Sequence, residues 1–139
     1  MAYQINSIFY VDDDPDDHYI FSIALKEAMP EIILTSFESC AAVLENLRNL
    51  ALPLPDLIFL DQNMPGNYGS ECMIIIKQEA RLNHIPIVIY TTDGNAIGEH
   101  AALKNGAFEY MIKPQVISEV VRDLSRIVKK CEINRSMKK

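Results

Sequence analysis

Polar side chains of three chemical kinds stand directly after the apolar runs of this sequence. Asp12 and Asp13 follow the first run, Asp61 the third, Thr91 ends the fourth, and Lys113 follows the fifth. Carboxylates of this kind bind divalent cations, and an ammonium group beside a hydroxyl binds an anion. If the five residues converge in the fold, they form a site that handles a cation and an anion together.

Three carboxylates in one pocket repel each other and need compensation. Two unit charges 4 Å apart cost roughly 4 kcal/mol at an effective dielectric constant near 20. Mg²⁺ relieves such repulsion, because it prefers a few carboxylates together with waters and phosphate oxygens. Three carboxylates, one lysine and one Mg²⁺ sum to about zero charge, so the site would accept an anionic phosphoryl group.

The elements that must position these residues alternate regularly along the chain. Short apolar runs predict five strands, at residues 5–11, 32–37, 56–60, 86–90 and 108–112. Apolar residues at helical spacing predict five helices, at about residues 15–28, 40–50, 70–80, 96–104 and 116–130. Asp14 followed by Pro15 is a typical start for the first helix, and Ser39 for the second.

This alternation predicts an α/β fold with a doubly wound, five-stranded parallel sheet of the flavodoxin-like type. The third and fourth strands are apolar throughout, which indicates burial on both faces. A barrel would need eight such units. The sequence does not determine the strand order; the order 2-1-3-4-5 is taken over from known examples of this fold. In that order Asp12, Asp13 and Asp61 meet at the switch point, where ligands bind.

Composition narrows the class of protein. A chain of 139 residues with a net charge of -6 predicts one domain, and the charge disfavours nucleic-acid binding. Residues 1–130 are expected to form that domain and residues 131–139 a frayed basic tail. The three cysteines are odd in number and widely spaced, which favours free thiols and a reducing cytoplasm over disulfides or zinc. No signal peptide or membrane span is predicted.

At these residues the sequence resembles the receiver family of two-component response regulators, in its single-domain, chemotaxis-receiver-like form. The resemblance extends from residue 8 to about residue 128. The motifs that carry it are Val11-Asp12-Asp13, Asp61 to Gly66 with Gly69, Ile85-Pro86 leading to Tyr90-Thr91, and Gly106 to Tyr110 with Lys113-Pro114.

The resemblance implies a phosphoacceptor and a metal site. Asp61 would accept the phosphoryl group as the nucleophile. Asp12, Asp13, Asp61 and the backbone carbonyl of Asn63 would hold Mg²⁺. The protein would catalyse only its own phosphorylation and dephosphorylation, so it is not expected to be an enzyme.

The resemblance also assigns roles on the fourth and fifth strands. Lys113 would pair with Asp61 and then with a phosphoryl oxygen, and Thr91 would hydrogen-bond the phosphoryl group. Tyr110 would be the aromatic switch that moves inward behind Thr91. The Lys113–Pro114 bond is expected to be cis, as is common in the family.

A phosphorelay function in the cytoplasm follows from the resemblance. The donor would be a histidine kinase or a phosphotransfer protein. The output would be a protein contact through the face of helix 4, strand 5 and helix 5, without nucleic acid or membrane. Two details depart from the family, Thr92 and the loop 66–69. Asn63 and Asp93 stand at the two positions that tune hydrolysis of the phospho-aspartate in the family, and this pair implies a short phosphoryl lifetime.

Other readings remain open at this level. A receiver that binds partners without being phosphorylated is the main alternative. A haloacid-dehalogenase-like phosphohydrolase is disfavoured because Asn63 stands where a second Asp is typical. A flavin-binding module is disfavoured because the acids after strand one repel phosphate.

Several nearby polar residues are expected to be unremarkable surface groups. Asp14, Asp16 and Asp17 suit the positive end of a helix dipole. An EF-hand is excluded because Asp17 stands where that loop needs Gly. The three histidines, His18, His84 and His100, show no ligand spacing and are expected on surfaces or loops.

Overall fold

A computed structural model describes residues 2–66 and 68–137 of the chain. Asn67, part of the unusual loop noted above, lies outside the described residues. The strands are β1 (Ser7–Val11), β2 (Ile33–Phe37), β3 (Leu57–Asp61), β4 (Ile87–Thr91) and β5 (Glu109–Ile112). The helices are α1 (Pro15–Ala28), α2 (Cys40–Arg48), α3 (Gly69–Lys77), α4 (Ala96–Lys104) and α5 (Ile117–Met137).

The strands form one parallel sheet in the order β2-β1-β3-β4-β5. Each neighbouring pair is parallel, and the register places Val11 beside Leu60 and Asp61 beside Tyr90. The predicted doubly wound fold and its strand order are therefore confirmed. The switch point lies between β1 and β3, because the helices that follow these two strands pack on opposite faces of the sheet.

Alternate residues of the central strands face two separate layers of helices. One face packs on α1 and α5, through a cluster that includes Tyr10, Phe59, Phe21 and Leu124. The other face packs on α2, α3 and α4 through Ile58, Leu60, Val43, Met73 and Ala102. Because both faces are covered, every residue of β3 and β4 is buried, as their continuous apolar sequence predicted.

Side-chain caps begin the helices that flank the site. Asp14 accepts a hydrogen bond from the backbone N–H of Asp16, with Pro15 at the first helical position. Ser39 caps α2 in the same way. Both predicted caps are confirmed, and each replaces a hydrogen bond that the first helical turn lacks.

Helix α5 is longer than the sequence indicated. It continues through residues 131–137, where a frayed basic tail was predicted. Cys131 is fully buried in this extension, and the backbone N–H of Ile5 donates to Glu132 Oε2 at 2.9 Å. These contacts with the N-terminal segment stabilise two further helical turns. The apolar residues at helical spacing ended before these two turns, so the sequence predicted a shorter helix.

The prediction of free thiols was wrong for two of the three cysteines. Cys40 at the start of α2 and Cys72 in α3 form a disulfide, with Cα atoms 5.8 Å apart. The two cysteines are far apart in the sequence, so their pairing was not predicted. They meet because α2 and α3 lie side by side on the same face of the sheet. Cys131 is a free, buried thiol. The cysteines of this chain therefore do not indicate a reducing compartment.

Within the described residues, no helix combines the length and the apolar character that crossing a membrane requires.

Candidate functional site

Three carboxylates meet at the carboxyl ends of β1 and β3. Asp12, Asp13 and Asp61 each place an oxygen within 4.8 Å of the others. Asp12 and Asp61 are buried, and Asp13 is exposed to solvent. The predicted convergence of these residues is confirmed. One solvent-facing and two buried carboxylates form a small acidic site that is open on one side.

The sheet itself positions these groups. Val11 and Leu60 are paired in the parallel register, so Asp12 and Asp61 follow at the same level of neighbouring strands. Asp12 Oδ1 accepts the backbone N–H of Asp14 at 3.0 Å, which turns the chain into α1. The strand pairing and this turn together fix the position of the buried carboxylate.

A glycine allows the chain to return closely past Asp61. A Cβ atom built on Gly69 would overlap the backbone carbonyl of Asp61 and lie 3.0 Å from Gln62 Cα. The Gly69 N–H donates to the Gln62 carbonyl at 3.0 Å, and the Ser70 N–H donates to Gln62 Oε1 at 2.9 Å. The motif glycine is therefore required by close backbone approach, which holds the start of α3 against the end of β3.

Lys113 reaches into the acidic site from the end of β5. Its Nζ lies 2.7 Å from Asp12 Oδ2, 2.8 Å from Asp17 Oδ2 and 3.2 Å from Asp61 Oδ1. Burial opposes the charge of this ammonium group, but hydrogen bonds to Asp12 and Asp17 and the charge of Asp61 raise the pKa of Lys113 overall. The lysine therefore stays protonated and offers a fixed positive charge.

The peptide bond after this lysine differs from the prediction. Lys113–Pro114 is trans, and no cis peptide bond occurs within residues 2–66 and 68–137. The trans isomer is the ordinary preference of an X–Pro bond, by about 0.5–1 kcal/mol. The Lys113 side chain reaches the carboxylates with this trans geometry.

Asp61 combines burial with a mixed electrostatic environment. Burial raises its pKa to about 6, and the charge of Asp12 raises it as well. The charge and hydrogen bonding of Lys113 lower it, as does the backbone N–H of Asn63. At neutral pH Asp61 is therefore an ionised, poorly solvated carboxylate, which is the form a nucleophile requires.

Thr91 lies at the end of β4 and is buried. Its Oγ1 accepts the backbone N–H of Asp93 at 3.2 Å and the side-chain amide of Asn63 at 3.4 Å. The hydroxyl is thus held beside the loop that follows Asp61. Asn63 contributes its side chain here, while the metal-binding role of its backbone carbonyl stays a prediction. Asp93 and Asn63 both touch Thr91, which the sequence spacing did not indicate.

Tyr110 lies on β5 with its hydroxyl at the start of α4. The hydroxyl accepts the backbone N–H of Asn95 at 3.3 Å. Gly98 leaves room for it, because a Cβ there would lie 2.9 Å from the tyrosine oxygen. Tyr110 is half-buried and lines a cavity of about 420 Å³ between α4 and β5, together with Gly94 and Glu99. This tyrosine contacts the start of α4, and within residues 2–66 and 68–137 no hydrogen bond joins it to Thr91.

Three site residues were missed by the sequence reasoning. Asp17 contacts Lys113, although it was expected to be a solvated acid of the helix terminus. Tyr10, fully buried on β1, donates its hydroxyl to Asp12 Oδ2 at 2.5 Å. His18 is half-buried, and its Nε2 donates to the Asp12 carbonyl at 2.6 Å, while its buried Nδ1 has no hydrogen-bond partner among the residues that the structure describes.

One signal could have identified Asp17. It is the third residue of α1, and side chains in a helix lean toward its N-terminus. That terminus adjoins the carboxyl end of β1, so Asp17 leans back toward the acidic site. Tyr10 offered no such signal, since a tyrosine in an apolar strand usually indicates packing alone. His18 offered none either, because its partner is a backbone carbonyl.

The donor set suits a hard divalent cation. Asp12, Asp13 and Asp61 supply carboxylate oxygens close enough to share one ion, and one side of the site faces solvent. Such cations take oxygen ligands and commonly retain several waters. The sulfur and imidazole groups that favour zinc are absent from this cluster of described residues.

Comparison with known proteins identifies the class. A family model described as the response regulator receiver domain matches residues 8–125. The chain therefore belongs to the response regulator receiver family. The resemblance noted in the sequence is confirmed.

The individual relatives have low sequence identity to this chain, and their names agree with the family assignment. The DNA-binding transcriptional regulator NtrC of Escherichia coli (strain K12) is 33% identical over 121 residues, which are 87% of this chain and 24% of NtrC. This chain thus spans about a quarter of that protein's length. The two-component response regulator ORR6 of Oryza sativa subsp. japonica is 30% identical over 120 residues, covering 86% of this chain and 69% of ORR6.

A solved structure of similar architecture carries a metal ion. The Mn(2+)-bound form of response regulator Rcp1 matches with a TM-score of 0.77 and 26% sequence identity. The match covers 88% of this chain and 91% of that chain. The acidic cluster described above fits the binding of a divalent metal ion.

Proposed function

We propose that this protein is a phosphorelay response regulator in which Asp61 accepts a phosphoryl group in a Mg²⁺-dependent reaction. The observation that supports this proposal most directly is the placement of Asp61. It is a buried carboxylate within 4.8 Å of two others, with the Lys113 ammonium group 3.2 Å away. The donor is a histidine kinase or a phosphotransfer protein, which carries the phosphoryl group on a histidine nitrogen.

The transfer requires one bond to form and one to break. An Asp61 carboxylate oxygen forms the new O–P bond as the P–N bond of the donor breaks, and the donor nitrogen keeps the bonding pair. Lys113 and the Thr91 hydroxyl stabilise the negative charge on the phosphoryl oxygens. Most of the catalysis is positioning and charge stabilisation, for which this chain supplies groups on three adjacent strand ends.

The metal site consists of Asp12, Asp13, Asp61 and the backbone carbonyl of Asn63. Mg²⁺ would supply a positive charge that draws the donor's phosphoryl oxygens toward Asp61. Asp13 is the exposed member of this set and Asp12 the buried one. Asp12 already accepts hydrogen bonds from Tyr10, Lys113 and the Asp14 N–H, so Asp13 and Asp61 would be freer than Asp12 to hold the ion.

The output surface is the face formed by α4, β5 and α5. Apolar side chains are exposed along this face, and they suit a protein partner: Ile97, Leu103, Ile112, Val116 and Ile117. Tyr110 couples the site to this surface, because its hydroxyl touches the N-terminus of α4. The signal is a shift in the population of arrangements around Thr91 and Tyr110.

The protein's remaining properties follow from this role. It acts on its own aspartate and is a signalling module of the cytoplasm, where kinases use ATP. It binds neither nucleic acid nor membrane. The receiver domain extends beyond residue 130 to the end of α5, and Asn63 and Asp93 beside Thr91 shorten the lifetime of the phosphoryl group.

Phosphorylation can be tested with a small phosphodonor and NMR. The protein is incubated with Mg²⁺ and either beryllofluoride or acetyl phosphate, and amide spectra are recorded beside those of Asp61→Asn. Shifts at Asp13, Thr91, Tyr110 and Lys113 that require Mg²⁺ and are absent in the variant support the proposal. A folded wild type that shows no shift with either reagent overturns it, and favours a receiver that binds partners without phosphorylation.

A further inference from the structure

Lys113 is shared among three carboxylates, and the phosphoacceptor is the most distant of them. Asp12 and Asp17 accept hydrogen bonds from Nζ at 2.7 and 2.8 Å, whereas Asp61 lies at 3.2 Å. An ammonium group has three N–H donors, of which Asp12 and Asp17 accept two, while Asp61 lies within ion-pair distance. The lysine side chain is only 7% exposed, which leaves water little access to replace a partner.

Asp17 is fixed in place by the helix that carries it. It lies in the first turn of α1, whose backbone is capped by Asp14 and begun by Pro15. The same helix packs on α5 through Phe21, Ala24 and Leu25. The carboxylate is therefore held at a set distance from Lys113, and it is not a mobile surface acid that happens to lie near.

The additional carboxylate changes the charge of the site. Asp12, Asp13, Asp17 and Asp61 carry four negative charges against the single positive charge of Lys113. Mg²⁺ therefore leaves the site negative by about one charge, where the sequence predicted about zero. An anionic phosphodonor meets greater repulsion, and a phosphoryl oxygen on Asp61 must compete with Asp17 for the ammonium group.

We infer that Asp17 is a positioning residue that holds Lys113 toward the start of α1 and thereby slows phosphorylation of Asp61. This inference rests on the proposed function and adds a control on its rate. Among the described residues, Asp17 forms no hydrogen bond or ion pair with the phosphoacceptor or with a proposed metal ligand, so it acts through Lys113. Asp17 also connects α1 to the site, because any movement of Lys113 toward a phosphoryl group breaks the hydrogen bond between Lys113 and Asp17.

The test compares Asp17→Asn with Asp16→Asn, a matched control. Asp16 lies one position earlier in the same helical turn, carries the same charge and is exposed. Phosphorylation by acetyl phosphate is followed over a range of donor concentrations at saturating Mg²⁺. We expect Asp17→Asn to raise the maximal rate and lower the donor's half-saturating concentration, for a combined gain of about five- to twentyfold. Asp16→Asn should change the same ratio by less than about twofold.

A conservative variant and a spectroscopic signal separate positioning from a general structural effect. Asp17→Glu keeps the charge and should retain a rate close to that of wild type. The ¹⁵N–¹H signal of the Lys113 ammonium group should shift in Asp17→Asn and stay unchanged in Asp16→Asn. Circular dichroism at the assay temperature identifies any variant that has unfolded, and such a variant is replaced by Asp17→Ser.

The outcomes distinguish the two proposals. If wild type is phosphorylated and Asp17→Asn is no faster than Asp16→Asn, or is slower than wild type, the role of Asp17 is overturned while the proposed function stands. If folded wild type and Asp61→Asn are equally inert toward acetyl phosphate, the proposed function itself has failed. A faster Asp17→Asn with an unshifted Lys113 signal also contradicts the inference, because the effect would not act through the lysine.

Discussion

The Tyr10 hydroxyl donates a 2.5 Å hydrogen bond to Asp12 Oδ2, the same oxygen that Lys113 contacts at 2.7 Å. Tyr10 and Asp12 are both fully buried. Burial raises the pKa of Tyr10 and so does the nearby Asp12 charge, which keeps the phenol protonated as a donor. Asp12 is therefore a buried carboxylate whose Oδ2 accepts hydrogen bonds from both a phenol and an ammonium group.

Replacing Tyr10 by Phe should destabilise the fold through this hydrogen bond alone. The ring contact with Phe21, with centroids 4.1 Å apart, is retained, but a buried carboxylate loses one of its donors. We expect the free energy of unfolding to fall by about 1–3 kcal/mol. Urea denaturation measures this change. Tyr19→Phe is the control, since Tyr19 is 67% exposed, and an equal loss in both variants would contradict the assignment.

Replacing Asp61 by Asn should stabilise the metal-free protein in a pH-dependent way. The pKa of Asp61 is raised from an ordinary value of 3.8 to about 6, first by burial. The folded state thus binds this proton more tightly than the unfolded state, so its stability falls as the pH rises from about 4 through 6. Asp61→Asn has no carboxyl group at this position to ionise, so it does not lose stability in this way.

The gain from Asp61→Asn should therefore be about 1–3 kcal/mol at pH 8 and should shrink toward zero near pH 4. Urea unfolding of both proteins in EDTA at several pH values measures it. A gain that grew as the pH fell would show that the Asp61 carboxylate is stabilised by folding, contrary to its burial.

Replacing Gly69 by Ala should disturb the end of β3. The added methyl group would overlap the Asp61 carbonyl, which is backbone and cannot rotate away. We expect a loss of about 2–3 kcal/mol in unfolding free energy, together with shifted amide signals around Asp61. Gly66→Ala is the comparison: φ there is 89°, but the space is open, so only about 1 kcal/mol of backbone strain is expected. Equal losses would count against the close approach.

Opening the Cys40–Cys72 disulfide should lower stability. The two cysteines are 32 residues apart, so the cross-link restricts the unfolded chain. This restriction contributes roughly 3–4 kcal/mol to the free energy of unfolding. Denaturation with and without dithiothreitol measures this loss. The double variant Cys40→Ala/Cys72→Ala should not respond to the reductant. Alkylation of the unreduced, denatured protein should modify Cys131 alone, and labelling of three thiols would refute the disulfide.

Much of the site could be predicted because strand ends carry local signals. Asp12, Asp13, Asp61, Thr91 and Lys113 each end an apolar run, and parallel strands bring their carboxyl ends to one edge of the sheet. The caps at Asp14 and Ser39 were equally local. Alternation of apolar runs with amphipathic segments was sufficient for the fold class, while the strand order came from known examples of the fold.

Tertiary structure alone decided which side chains meet. Lys113 and Asp17 are separated by 96 residues, and Cys40 and Cys72 by 32. Such contacts depend on the rotation of each helix about its axis and on its tilt across the sheet, which periodicity leaves undetermined. The Tyr10 phenol and the trans Lys113–Pro114 bond were likewise hidden, because packing around them selects one of several conformations that the local sequence allows.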